Sequence, residues 1–259
     1  KPREVIKMAN EICIFKRVEK KYMLTVRQKE RLLGYIENEL LPDPYGKSTI
    51  CSAYLDTPQH LIIRNSLDAR SYKEKLRIRS YGTPEMDSNV FFELKKKYMG
   101  VVYKRRAVMN MSQAISFAEN GIPPFQSQII SEIGYALNFY GHPQPAVMIA
   151  YEREAYFVKE LPNLRLTFDT NVRYRTENPL PCYGDGGKQI LPSDRVLLEI
   201  KTDGAMPISF SRALDKCGIL PISFSKYGTA YRDICGLTAF PSVFKNFTDK
   251  GEMKNVCNF

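Results

Sequence analysis

Charged residues at alternate positions recur along this chain, and theirs is the spacing that could do chemistry. Val90 to Lys97 reads VFFELKKK. Successive side chains of a β-strand point to opposite faces. Phe91, Glu93, Lys95 and Lys97 therefore share one face, and Val90, Phe92 and Leu94 the other, with Lys96 at its end. The same alternation groups Arg17, Glu19 and Lys21 on an earlier segment, Lys75, Arg77 and Arg79 on another, and Glu199 and Lys201 on a fourth. A charged strand face ordinarily meets water. Its recurrence on four segments, each with an apolar opposite face, points instead to a barrel that is polar inside and built to hold an anion.

Following the alternation, the basic lumen set is Arg17, Lys21, Arg77, Arg79, Lys95, Lys104, Arg106, Arg153, Arg165 and Lys201; the acidic set is Glu19, Glu93, Asp169 and Glu199. Two like charges about 4 Å apart repel by about 4 kcal/mol at an effective dielectric of 20, so such a lumen needs anions to fill it. Guanidinium forks match phosphate oxygens two at a time, and ammonium groups act as point charges. A carboxylate in a phosphate site binds a divalent metal, pairs with a cation or acts as a base. Mg²⁺ and Mn²⁺ sit between one or two carboxylates and substrate phosphates; Glu199 and Glu19 are the first candidates for that role, with Glu93 third. The bland alternative makes Glu19–Lys21 and Glu93–Lys95 surface ion pairs contributing almost nothing. Asp56 is expected to fix a strand-to-helix turn, and Asp169 to line the lumen or pair with Arg165 or Arg173. Lys20, Lys96 and Lys97 are expected to face solvent.

The elements that must carry these residues can be read in order. Residues 11–24 form a strand, and Thr25 with Gln28 makes a capping box that opens a helix with an apolar stripe of Leu32, Leu33, Ile36 and Leu40. Residues 48–56 form a strand, and Thr57-Pro58 opens a helix to about Ser66. Residues 72–81 are a strand; VFFELKKK and VVYKRRAVMNM form an antiparallel hairpin. Ser112 caps a short helix, and residues 125–140 form another, closed by Gly141, with Ile129, Ile130, Ile133 and Leu137 as its core stripe. Strands follow at 146–158, 164–175 and 195–202, with a Pro/Gly-rich loop at 178–193 expected to be mobile. Pro207 opens a helix through Cys217-Gly218. About eight strands without βαβ alternation favour an α+β class with an antiparallel β-barrel, a basic lumen and covering helices. Residues 10–236 make one domain and 237–259 a peripheral tail.

The chain has 259 residues, 38 Lys plus Arg against 28 Asp plus Glu, a net charge of +10 and a pI near 9.2. That balance favours a polyanionic partner without choosing one. Six scattered cysteines with no C-x-x-C pair read as reduced thiols of a cytoplasmic protein. With only His60 and His142, a histidine zinc site or a Ser-His-Asp triad is excluded. No apolar run reaches the roughly 18 residues that span a bilayer, and no signal peptide is visible. The chain opens at Lys1 rather than Met, which leaves open a membrane partner, whether a flanking domain or another subunit.

Taken in order, Glu19-Lys20-Lys21-Tyr22, Tyr54-Leu55-Asp56-Thr57, Leu76-Arg77-Ile78-Arg79, Glu93-Leu94-Lys95, Tyr151-Glu152-Arg153, Leu164-Arg165 with Phe168-Asp169-Thr170, Leu198-Glu199-Ile200-Lys201 and Ser223-Phe224-Ser225-Lys226-Tyr227 form a recognisable set. It closely resembles the VTC domain, the polyphosphate polymerase domain of the vacuolar transporter chaperone complex and its prokaryotic relatives. That domain belongs to the triphosphate tunnel metalloenzymes, whose fold is an eight-stranded antiparallel tunnel. The resemblance covers about residues 10–235. It implies transfer of the γ-phosphoryl of ATP to a growing polyphosphate chain, assisted by Mn²⁺ or Mg²⁺. Carried over by motif, Lys21, Arg77, Arg79, Lys95, Arg153 and Arg165 grip triphosphate and polymer, with Lys104, and Glu199 is the main metal ligand. Ser225 with Lys226 closes one end of the tunnel, and Tyr151 is a weaker carry-over. Arg106 and Lys201 join the substrate-binding set from the strand pattern. One departure is that the first strand carries E-K-K where the hydrolytic tunnel enzymes carry E-x-E-x-K, which leans away from simple hydrolysis.

The expected partners are ATP, inorganic polyphosphate and pyrophosphate or phosphate, with no nucleic acid. Tyrosines among the basic residues (Tyr22, Tyr72, Tyr81, Tyr103, Tyr151, Tyr174) read as barrel packing rather than a base-stacking platform. Two rivals stand beside the polymerase: a tripolyphosphatase or nucleoside triphosphatase of the same fold, and a non-catalytic polyanion-binding module.

Overall fold

The computed structural model describes residues 14–15, 18–69, 71–99 and 101–237. Arg17, the lead-in and the tail from residue 238 lie outside them. Strand β1 (Ile14–Phe15) precedes β2 (Val18–Thr25), helix α1 (Val26–Ile36), β3 (Leu40–Pro42), β4 (Ser48–Asp56) and α2 (Leu61–Asp68). Then come β5 (Tyr72–Tyr81), β6 (Asn89–Tyr98), β7 (Val101–Asn110), α3 (Met111–Asn120) and α4 (Gln128–Phe139). The last third holds β8 (Gln144–Val158), β9 (Leu161–Arg175), β10 (Lys188–Gln189), β11 (Arg195–Thr202), α5 (Ile208–Lys216), β12 (Pro221–Ile222) and α6 (Lys226–Ile234).

The class is α+β with one large antiparallel sheet, ordered β1-β7-β6-β5-β4-β8-β9-β11-β2-β12, with β3 on β8 and β10 on β9. Among the described residues the ladders do not join into a closed barrel. The sheet is nonetheless strongly curled. Lys95 of β6 lies 3.8 Å from Glu19 of β2, although five strands separate them in the sheet order. One face is therefore concave.

Helices cover the other face. Phe92, Leu94, Ile78 and Leu76 pack with Phe117, Ile130, Ile133 and Leu137 of α3 and α4. Leu24, Leu166, Leu198 and Ile200 pack with Leu32, Ile36, Phe210 and Leu214 of α1 and α5. Each such side chain, fully buried, stabilises the fold by roughly 1.5–3 kcal/mol before the entropy of ordering it. The apolar positions that alternate with the charges are what hold the helices on, and they leave the charged positions facing inward.

Several starts differ from expectation. The Thr25 capping box with Gln28 is present. Helix α2 begins at Leu61 rather than Thr57, because the Asp56 carboxylate accepts the amides of Thr57, Ile62 and Ile63 while His60 sits at φ 54. Helix α3 is capped by Asn110 rather than Ser112, in a capping box with Gln113. Helix α4 starts at Gln128 behind Ser127, later than residue 125, and Gly141 beyond it takes φ 66. Helix α6 was not anticipated. The 178–193 loop is tied down by β10 on β9, and Gly187 there is obligatory: a Cβ would meet the Tyr174 carbonyl oxygen at 2.4 Å. Among the described residues no helix is long and apolar enough to cross a membrane. Cys51, Cys182, Cys217 and Cys235 are free thiols.

Candidate active site

Strand register sets the site. Across β5, β6 and β7, Arg77 faces Glu93, which faces Arg106, and Lys75 faces Lys95, which faces Lys104. Across β8, β9, β11 and β2, Arg153 pairs with Asp169, Arg165 with Lys201, Lys201 with Glu19, and Glu199 with Lys21. Paired residues share a face. The expected lumen residues that are described thus all lie on the concave side.

Glu93 is a hub. Its side chain is 1% exposed and receives Arg77 at 2.6 Å, Lys104 at 2.7 Å, Arg106 at 2.6 Å and Arg79 at 3.9 Å. Burial pushes its carboxyl up, but those four cations outweigh it and hold the group well below the usual range. Arg79 also donates to Ser52 Oγ at 3.3 Å and Tyr151 Oη at 3.4 Å.

A second hub joins Asp169 and Glu199. Arg153 clasps both Asp169 oxygens at 2.6 and 2.7 Å, and Lys226 Nζ reaches Asp169 at 2.6 Å and Glu199 at 3.5 Å. Glu199 further meets Lys201 at 3.0 Å, Arg153 at 3.5 Å and Lys21 at 3.6 Å. Burial alone would raise both carboxyls; Lys226 leads the cations that hold them low. Tyr151 lies beneath, with Lys226 4.4 Å and Arg153 5.1 Å from its ring centre. Asp169 was expected to pair with Arg165 or Arg173 if not lining the lumen; it lines the lumen and takes Arg153 and Lys226.

Lys226 is delivered by α6, the helix the sequence did not announce. Ser225 caps it through the Gly228 amide, and Gly228 is tightly enclosed, a Cβ there falling 2.8 Å from the Leu67 methyl Cδ2 and 3.2 Å from Ser225. Tyr227 stacks on Tyr54 at 4.8 Å and donates to Asp56 at 2.8 Å, so the carboxylate that starts α2 also anchors α6. Lys75 donates to Ser225 Oγ at 3.0 Å and Lys21 to the Phe224 carbonyl at 2.9 Å. The first turn of α6 packs with Ile50, Ile149, Tyr151 and Leu197 inside one end of the concave face.

Two groups at this end were not among the expected site residues. Burial drives the Lys75 ammonium down to about 8, with Lys21, Lys95 and Arg77 adding to the shift against Tyr54. Burial would raise the Tyr54 phenol, but Arg77, Lys75 and Arg79 bring it down to about 8, and Arg77 donates to it at 3.2 Å. Lys75 shares the parity of Arg77, so its signal was present in the strand pattern. Arg165 is on the predicted face but 43% exposed, bound to Asp43 at 2.7 Å and lying over Phe157 at 5.0 Å. Lys20 and Lys97 are exposed as expected, whereas Lys96 pairs with Glu74 at 3.1 Å.

The carboxylates do not gather as a dedicated metal cage. Among the described residues no three His, Cys, Asp or Glu side chains converge. Glu19 and Glu199 do meet at one point, the Lys21 ammonium, at 3.4 and 3.6 Å.

The model of the VTC domain family matches residues 16–234. The chain belongs to the VTC domain family. That span is most of the sequence and contains every residue of both hubs. The VTC domain places the chain in the triphosphate tunnel superfamily, a group of phosphate-transfer and triphosphatase enzymes. No curated protein matches the chain. Among solved structures, it is similar to a candidate adenylate cyclase from Bacillus halodurans, with TM-score 0.51 and 13% identity over 81% of this chain and 93% of that one. A candidate adenylate cyclase from Vibrio parahaemolyticus gives TM-score 0.41 and 13% identity over 86% and 98%. At this identity the first likeness supports a shared fold and nothing further.

Proposed function

We propose that this VTC domain is a polyphosphate polymerase that moves the γ-phosphoryl of ATP onto a growing inorganic polyphosphate chain held on its concave face. The observation that carries this reading is charge: Lys21, Lys75, Arg77, Arg79, Lys95, Lys104, Arg106, Arg153, Arg165, Lys201 and Lys226 face four inward carboxylates, Glu19, Glu93, Asp169 and Glu199, and Asp43. Such an excess is relieved by an anion with several linked charges. In this reading the sheet works as a tunnel, its curl bringing Lys95 of β6 within 3.8 Å of Glu19 of β2.

Phosphoryl transfer passes through a loose transition state, and positioning with charge neutralisation supplies most of the catalysis. Arg77, Arg79, Lys104 and Arg106 would hold one stretch of phosphates by exchanging part of their contact with Glu93. Lys226 and Arg153 would neutralise charge at the reacting phosphorus, fixed there by Asp169. The terminal oxygen of the chain attacks the γ-phosphorus, the bond to the β–γ bridging oxygen breaks, and ADP leaves with that electron pair. The attacking phosphate is already ionised, so no strong base is needed. Glu199 and Glu19 fit a divalent ion bound by one or two carboxylates and phosphate oxygens, and Mn²⁺ or Mg²⁺ there would offset the charge on the transferring group. Glu93 fits less well: Arg77 and Arg106 hold it at 2.6 Å and Lys104 at 2.7 Å, whereas the nearest cation to Glu199 is Lys201 at 3.0 Å.

The test is product analysis. The protein incubated with ATP and Mn²⁺ should yield long chains on a gel. Orthophosphate alone would replace the polymerase with the triphosphatase, and tight, salt-sensitive binding without turnover would leave a polyanion-binding module.

A further inference from the structure

Beyond the phosphate grip, the concave face carries an aromatic ledge beside Arg106. Tyr81 lies six residues beyond Lys75 on β5, and Lys75 is the residue that meets Ser225. Phe91 sits opposite Arg79 on one side and Val108 on the other, so its ring is on the same face as Glu93, about 7 Å further along β6. Tyr81 meets Phe91 edge-on with ring centres 5.9 Å apart, and the Arg106 guanidinium covers the Phe91 ring at 4.4 Å. Arg106 belongs to the Glu93 hub. Tyr81 is 58% exposed and its hydroxyl has no hydrogen-bond partner among the described residues. Inward-facing aromatics of a barrel normally pack; this one stands open beside a cation cluster.

We infer that Tyr81, braced edge-on by Phe91, forms a nucleobase subsite, its open ring stacking the base of the nucleoside triphosphate whose phosphates the Glu93 hub grips. The inference rests on the reading of a nucleoside triphosphate as phosphoryl donor. Apolar rings beside cations complement a ligand that is flat at one end and polyanionic at the other, joined by a ribose. A stack of this kind reads the π-face, which every base has, and no side chain of the ledge is set to read a base edge. The subsite therefore favours nucleotide over bare triphosphate, and larger purines over pyrimidines, with little distinction between adenine and guanine.

Calorimetric titration of wild type, Tyr81→Ala, Tyr81→Phe and Phe91→Leu with ATP, GTP, CTP and inorganic tripolyphosphate tests this. Wild type should bind ATP and GTP alike and about tenfold tighter than tripolyphosphate, the worth of one base stack. Tyr81→Ala should erase that margin while leaving tripolyphosphate affinity unchanged, Phe91→Leu should narrow it, and Tyr81→Phe should keep it. Unchanged ATP affinity in both Tyr81→Ala and Phe91→Leu, or equal loss of ATP and tripolyphosphate, overturns the base subsite while the phosphate reading stands. Wild type that binds neither ATP nor tripolyphosphate overturns both.

Discussion

Lys226 Nζ lies 2.6 Å from Asp169 Oδ2, on the carboxylate whose two oxygens Arg153 also clasps. Asp169 is fully buried, so its carboxylate meets these two cations and no solvent. Removing the carboxylate leaves both with Glu199 as their only remaining acidic partner. Asp169→Ala should cost about 3 kcal/mol of stability, the scale of a broken buried ion pair, read as a lowered denaturant midpoint. Lys226→Ala should cost much less, since Asp169 keeps Arg153, and should abolish polymer synthesis in a protein that still melts cooperatively.

Glu199 faces four cations, sharing Lys226 and Arg153 with Asp169 and Lys21 with Glu19. Glu199→Gln should stop chain synthesis with ATP and Mn²⁺ while the protein remains folded by circular dichroism. Full activity in that variant would remove Glu199 from the site.

Burial lowers the Lys104 ammonium to about 7, with Glu93 opposing and Arg106 and Arg77 adding to the shift, and Lys75 sits near 8. Both release their protons earlier in the folded chain than the ordinary lysine value of 10.5. Above about pH 7 the unfolded chain therefore holds more protons, and stability should rise with pH from there toward 10.5. Tyr54, lowered from 10.0 to about 8, acts in the same direction. A bound polyphosphate needs those ammonium groups charged. The rise in melting temperature it causes should be larger near pH about 7 than near pH about 9, as thermal unfolding with and without tripolyphosphate would show.

Gly187→Ala places a Cβ 2.4 Å from a backbone oxygen of β9, which cannot move without breaking the β9–β10 pairing. The melting temperature should fall by several degrees, about 2–4 °C for each kcal/mol in a protein of this size. Activity at low temperature should be unaffected, because the loop lies outside both hubs.

The strands that hold the site were legible because two independent patterns, charge and apolarity, alternate along β2, β5, β6 and β11. What alternation cannot show is where it slips. The register of β8 on β9 shifts between Ala150 and Glu152, and Asn171 takes φ 48 there. That bulge turns Arg173 toward Glu152 and Asp185 instead of Asp169. Arg165, four residues from Asp169 on an extended strand, is about 13 Å away and equally out of reach. Helix α6 was missed for a different reason. PISFSKYG carries proline, serines and glycine that disfavour a helix locally, and the helix owes its place to Ser225, Asp56 and the packing of Tyr227 on Tyr54. The partner of Arg165 was invisible too, since Asp43 is brought to it by β3 pairing on β8.

Thermal unfolding with inorganic tripolyphosphate, against sulfate matched for ionic strength, bears most directly on whether the inward cations are a site for linked phosphates. A melting temperature that climbs steadily with tripolyphosphate concentration, and loses that climb in Arg77→Ala and Lys226→Ala, is the predicted outcome. A shift no greater than that of the matched sulfate would contradict it.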